Sequence, residues 1–216
     1  MIKTVHFLLV KLLRRLIWFT SFLLNYKLLK GYKLIKDRII VEGIKRELKY
    51  CGENFWIDSP SEFKGLKYIS IGNNFHSRSG LRMEAINEYI GVNYSPEIKI
   101  GNNVRFNNYC HIGIINNLII GDNTVIASKV FITDHSHGKT DGEDDLNILV
   151  AKRKLYSKGP VFIGENVWIG ENVSILSGVS IGKGSIIGAN SVVNKDIPDF
   201  CVAAGTPAKV IRKLKK

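Results

Sequence analysis

The sequence predicts an all-β solenoid, a left-handed parallel β-helix of hexapeptide repeats, with an α-helical segment ahead of it and one protruding loop. Three observations carry this. An aliphatic residue recurs at every sixth position from Ile163 through Ile169, Ile175, Ile181 and Ile187 to Val193. The same period, with one aromatic, runs through Ile100, Phe106 and Ile112, and again through Ile120, Ile126 and Ile132. Four places after each, the residue is usually small or β-branched, as at Val104, Cys110, Thr124, Val130, Val167, Val173, Val179, Ser185 and Ser191. Glycine follows directly at Gly101, Gly113, Gly121, Gly164, Gly170, Gly182 and Gly188, often with asparagine two residues later.

The period dictates the geometry. Two inward positions in every six residues, separated by a Gly/Asn pair able to adopt positive φ, describe a short strand and then a sharp corner. Three such strands close one triangular coil. Coils stacked about 4.8 Å apart pair as parallel strands and bury an aliphatic column. An antiparallel sandwich has no reason to fix aliphatics at a six-residue interval.

Two departures interrupt the period. Ile112 and Ile120 are eight apart rather than six, which places two extra residues at one corner. Ile132 and Ile163 are 31 apart, so a loop over about 133–160 leaves the prism. It holds Asp134-His135-Ser136-His137-Gly138, an acidic stretch at Asp141, Glu143, Asp144 and Asp145, and a basic one at Lys152, Arg153 and Lys154. Long loops on rigid solenoids usually carry function.

Residues 1–50 form a basic amphipathic segment. Phe7–Leu29 contains neither proline nor glycine and reads as one or two helices. Its longest uncharged run, Leu16–Tyr26, is eleven residues, with Lys11, Arg14 and Arg15 before it. A spanning helix needs about 20 apolar residues, and a secretory signal needs a small-residue cleavage site. The segment is therefore expected to lie on an anionic membrane surface, with Trp18 and Tyr26 at headgroup depth.

The 216 residues carry a net charge of +12, and the first fifty supply twelve Lys or Arg against Asp37, Glu42 and Glu47. A basic pole beside apolar residues argues for lipid rather than nucleic acid. Cys51, Cys110 and Cys201 are odd in number and widely spaced, so no disulfide framework is expected and a reducing, cytoplasmic setting fits, peripheral on the inner face of the membrane.

The words IGDNTVIASKVFITDHSHG, GPVFIGENVWIGENVSILSGVSIGKGSIIGANSVVNKDIP and VAAGTPAKVI give residues 98–213 a close resemblance to the hexapeptide-repeat acyltransferases. In detail they resemble the maltose and galactoside O-acetyltransferases and those that modify O-antigens and capsules. Residues 72–99 break the repeat, and the N-terminal hundred match only loosely. The resemblance implies a β-helix domain over 51–213, a homotrimer with its sites between neighbouring prisms, acetyl-CoA as cosubstrate, no resident metal, and a sugar or glycan acceptor in polysaccharide biosynthesis.

It also implies roles for residues. The family's catalytic histidine falls on His135, with His137 second to it. An imidazole suits the task, because a sugar hydroxyl is a poor nucleophile until its proton is taken. Asn107, Asp134 and His137 are expected at the acceptor, Asn108 competing with Asn107 and Asp134 also placed to orient the ring. For acetyl-CoA the resemblance implies Trp168, the turn Ala204-Gly205-Thr206-Pro207, and Lys209, Arg212 or Lys213 toward phosphate within a C-terminal segment over 201–216.

Two other activities share the fold. A γ-type carbonic anhydrase would use His111, His135 and His137 on zinc, but has no use for VWIG or AGTPAKVI. A nucleotide-sugar N-acetyltransferase often carries a glycine-fingerprint domain, and no G-x-G-x-x-G occurs.

Overall fold

The computed structural model describes residues 2–23, 25–139 and 147–215; the acidic stretch Asp141, Glu143, Asp144 and Asp145 lies outside them. The chain divides into two units, Met1–Ile40 and Val41–Lys216.

Two helices precede the solenoid, α1 over Ile2–Leu23 and α2 over Tyr26–Glu47. Asn25 accepts the backbone N–H of Leu28 at 3.0 Å, an N-cap that starts α2. In α1, Phe7, Leu12, Leu16, Trp18, Phe19 and Phe22 are all exposed. No described helix is long and apolar enough to cross a membrane.

The solenoid makes six full coils of three strands each. The first contains Tyr50–Cys51, Trp56–Ile57 and Glu62–Lys64, and the second Ile69–Ile71, His76–Ser77 and Arg82–Ala85. The third contains Glu97–Ile100, Arg105–Phe106 and His111–Ile114, and the fourth Asn117–Ile120, Val125–Ile126 and Phe131–Thr133. The fifth contains Val161–Ile163, Trp168–Ile169 and Ser174–Ile175, and the sixth Ser180–Ile181, Ile186–Ile187 and Val192–Val193. First, second and third strands of successive coils pair in parallel into three faces. The strand Cys201–Gly205 then extends the second face, and Ala208–Lys213 folds back antiparallel against it.

The six-residue register holds through the core. Ile100, Ile120, Ile163 and Ile181 stack down the first face and Ile112, Ile132, Ile175 and Val193 down the third, each at most 4% exposed. Residues 72–99 do not break the winding as the sequence suggested. A complete coil occupies 69–85, and only 86–96 leaves as the hairpin Glu88–Tyr89/Val92–Asn93. The period is disguised there because Phe75 and Ser77 take inward places that aliphatics hold later; Phe55 of the first coil, Phe75 and Phe106 pack ring against ring, at 5.5 and 5.8 Å.

The corners divide the work between asparagine and glycine. Asn103, Asn123, Asn166, Asn172 and Asn190 take positive φ between 54° and 59°, which asparagine tolerates better than most residues. Their amides also form ladders, with Asn74 donating to Asn103 at 2.8 Å and Asn103 to Asn123 at 2.9 Å. The repeat glycines serve a different purpose from the positive φ expected of them. At Gly121 a Cβ would sit 2.5 Å from the backbone nitrogen of Glu165 in the next coil, so glycine permits the close stacking itself.

Candidate active site

The loop leaves the fourth coil after Thr133, and its first residues fold back against the solenoid. Asp134 is fully buried. Its Oδ1 accepts the N–H of Ile115 at 2.9 Å and its Oδ2 that of Asn116 at 2.7 Å. Ile115 and Asn116 are the extra corner residues betrayed by the eight-residue spacing. Two backbone donors, one on each oxygen, hold the carboxylate in place. Ser177, from the corner after the fifth coil, adds a hydrogen bond to the Asp134 carbonyl at 2.7 Å.

This anchor orients His135. Its Nδ1 lies 3.2 Å from Asp134 Oδ1 and 3.3 Å from Thr133 Oγ1. The Thr133 hydroxyl donates to the His135 carbonyl at 3.2 Å, so toward the ring it has only lone pairs to offer. With the Asp134 Oδ1 acceptor beside it, Nδ1 is the nitrogen favoured to carry the proton, which leaves Nε2 with the lone pair a general base needs. Nε2 has no hydrogen bond to the described residues, and the side chain is 13% exposed.

His135 lines a cleft of about 360 Å³ on the third face, together with Glu84, Tyr89, His111, Gly113, Phe131 and His137. Tyr89, from the hairpin, contacts His137 edge-on at 5.4 Å and donates to the Ala151 carbonyl at 3.3 Å. Tyr94 donates to the Leu155 carbonyl at 3.2 Å and accepts its N–H at 2.9 Å. The hairpin after the second coil thus holds both arms of the loop. Glu84 Oε2 takes Arg82 at 2.8 Å and His111 Nε2 at 3.2 Å.

Several expected site residues fall elsewhere. Asp134, expected at the acceptor and also placed to orient the ring, is fully buried with both oxygens accepting backbone N–H groups, lies against His135 Nδ1 and does not line the cleft. His137 is exposed and lines the cleft. Asn107 and Asn108 follow the second-face strand Arg105–Phe106, at the corner that opens the third face, whereas His135 follows the strand that closes it. Within one chain they lie at opposite edges of that face, and neither lines the cleft. Gly113 is not a corner residue: it lies inside the strand His111–Ile114 and faces the cleft. His111, His135 and His137 share the cleft, yet no three potential metal ligands among the described residues come together.

The residues expected at acetyl-CoA share the second face. Trp168, 54% exposed, stands between Val125 and Ile186. One strand further, Ala204 pairs with Lys209 and Val202 with Arg212, across the turn at Gly205, Thr206 and Pro207. Lys209, Arg212 and Lys213 are exposed.

Sequence reasoning passed over Thr133, Ser177, Glu84, Tyr89 and Tyr94. Glu84, Tyr89 and Tyr94 sit in the stretch read as irregular, and Ser177 comes 42 residues after His135, so only the closing of the coil joins them.

A triangular solenoid of six-residue repeats with a histidine beside a cleft on its third face has the architecture of the hexapeptide class. The model of the bacterial transferase hexapeptide family (six repeats) matches residues 160–195. The lipopolysaccharide biosynthesis O-acetyl transferase WbbJ of Escherichia coli (strain K12) is 39% identical over 88% of this chain and 91% of its own. The galactoside O-acetyltransferase of the same organism is 34% identical over 79% of this chain and 66% of its own. Among solved structures, a galactoside acetyltransferase in complex with coenzyme A has a TM-score of 0.55 at 34% identity, over 80% of this chain and 68% of that one. The N-acyltransferase AntD from Bacillus cereus, at 22% identity and a TM-score of 0.66, covers 81% of this chain and 89% of its own and shares the fold. The chain belongs to the hexapeptide-repeat transferases, and it is an acyltransferase with their left-handed β-helix.

Proposed function

We propose that this protein transfers an acetyl group from acetyl-CoA to a hydroxyl of a sugar unit during polysaccharide biosynthesis, with His135 as the general base. The observation that carries this is the setting of His135 Nδ1, 3.2 Å from Asp134 Oδ1 and 3.3 Å from Thr133 Oγ1, which supports a ring whose Nε2 is left for the acceptor hydroxyl. In the reaction Nε2 takes the hydroxyl proton as the oxygen attacks the thioester carbonyl, and Asp134 stabilises the imidazolium that forms. The proton then passes to the departing CoA thiolate, leaving ester and thiol.

Trp168, Ala204, Gly205 and Thr206 are assigned to the cosubstrate, with Lys209 and Arg212 toward its phosphates, for which cations are suited. The working unit is a homotrimer, in which Asn107 of one copy meets His135 of another; their places at opposite edges of the third face support this. The basic, apolar α1 holds the enzyme at an anionic membrane surface on the cytoplasmic side, close to a lipid-linked or growing glycan.

The test is an acetyl-CoA consumption assay with methyl glycosides, nucleotide sugars and oligosaccharides as acceptors, the product analysed by mass spectrometry and NMR. An O-acetyl ester on a sugar is expected. Transfer to amines alone turns the reading to an N-acyltransferase.

A further inference from the structure

The third face presents two columns of outward side chains, and the one beside His135 has a gap. Lys64 pairs in register with Glu84, Glu84 with Gly113, and Gly113 with Thr133. Neighbouring strands are about 4.8 Å apart, so Glu84 and Thr133 stand about 10 Å apart with no side chain between them. A Cβ on Gly113 would come within 3.3 Å of His135 Cε1 and 3.8 Å of His111 Nε2. The glycine therefore keeps open a notch walled by both histidines. Glu84 closes its far end, 18% exposed in side chain.

Glu84 is built to be held still. Arg82 and His111 both occupy Oε2, while Oε1 has no hydrogen bond to the described residues. A carboxylate with one oxygen fixed and the other open is an acceptor for hydroxyl donors, and hydrogen bonds to a charged group are strong for their kind. Fixing it beforehand lowers the entropy lost when a ligand binds. Glu84 and His135 line the same cleft of about 360 Å³, which has room for a single pyranose ring.

We infer that the Gly113 notch is the acceptor subsite and that Glu84 is its specificity-determining residue, binding one hydroxyl of a sugar while His135 deprotonates another hydroxyl of the same ring. The inference rests on the sugar reading above and narrows it. Glu84 is ion-paired with Arg82, and Lys64 also lines the cleft, so the selectivity it confers is for the hydroxyl it accepts rather than against a charged sugar.

The experiment compares wild type with Glu84→Gln, an isosteric change that keeps acceptors for Arg82. The probes are methyl β-D-glucopyranoside, methyl β-D-galactopyranoside and their mono-deoxy analogues. Glu84→Gln is expected to raise the KM of the preferred glycoside at least tenfold and to leave the acetyl-CoA KM within twofold. One deoxy analogue should be as poor for wild type as for the variant. Gly113→Ala, which fills the notch, should also weaken glycoside binding while sparing acetyl-CoA. A Glu84→Gln enzyme whose glycoside KM stays within twofold overturns the subsite alone. A wild type that acetylates none of these glycosides overturns the sugar reading and the subsite with it.

Discussion

Asp134 and His135 are neighbours in sequence whose side chains meet, Oδ1 to Nδ1 at 3.2 Å, although adjacent side chains usually diverge. The contact exists because the chain bends out of the coil at Thr133 while the Ile115–Asn116 corner draws the carboxylate inward. His135→Ala should keep the trimer and the acetyl-CoA KM, since the ring belongs to neither the solenoid core nor the second face. kcat should fall about 10²–10⁴-fold, the usual worth of a general base. A His135 variant that keeps more than about a tenth of wild-type kcat while His137→Ala does not exchanges the two roles.

Asp134→Asn should damage both fold and rate. An amide supplies one acceptor where the carboxylate supplies two, so the N–H of Ile115 or Asn116 is left facing a donor, at a cost of about 1–3 kcal/mol. The imidazolium also loses its counter-charge. Thermal denaturation and kcat should both fall; a variant of wild-type stability and rate would remove Asp134 from the mechanism.

Mixed trimers test the shared site. His135→Ala and Asn107→Ala should each be poorly active alone. In mixed trimers some sites draw an intact His135 from one copy and an intact Asn107 from its neighbour, about a quarter of them under random assembly in a cyclic trimer. Recovery of activity on co-refolding is expected; none would place Asn107 outside the site.

The three thiols should differ in reactivity. Cys110 is buried, and burial pushes its thiol up to about 11, while Cys51 is only partly buried and raised less, again by burial. The thiolate is the reactive form, so at pH 8 Cys110 should resist alkylation in the folded protein and Cys51 should react slowly. Mass spectrometry after brief iodoacetamide treatment checks this. Rapid labelling of Cys110 would contradict the packing of the third-coil corner on the fourth, where its Sγ sits 3.1 Å from the Ala127 carbonyl.

The α1 segment should carry the membrane affinity. Reversing Lys11, Arg14 and Arg15 to Glu should release the protein from vesicles containing phosphatidylserine, and salt should mimic the change, because the attraction is partly coulombic. Unchanged partitioning in flotation assays would end the peripheral-membrane proposal.

The sequence by itself determined the winding. A period of six forces an aliphatic to the inside of every strand, and that constraint is local, visible at Ile163, Ile169 and Ile175 without a partner in view. It also located the loop, since a lapse in the period is as legible as the period, while the choice of His135 within it came from the family resemblance. Where the inward residue was Phe75 or Ser77 the same winding went unread, because the period is recognised by aliphatics while the coil asks only for something that packs. Tertiary structure alone decided what surrounds His135. Glu84, Gly113, Thr133 and Ser177 are spread over 94 positions, and they meet because stacking sets residues one coil apart about 4.8 Å from each other. That distance depends on how many residues each corner spends, so the cleft is a property of the whole stack rather than of any segment.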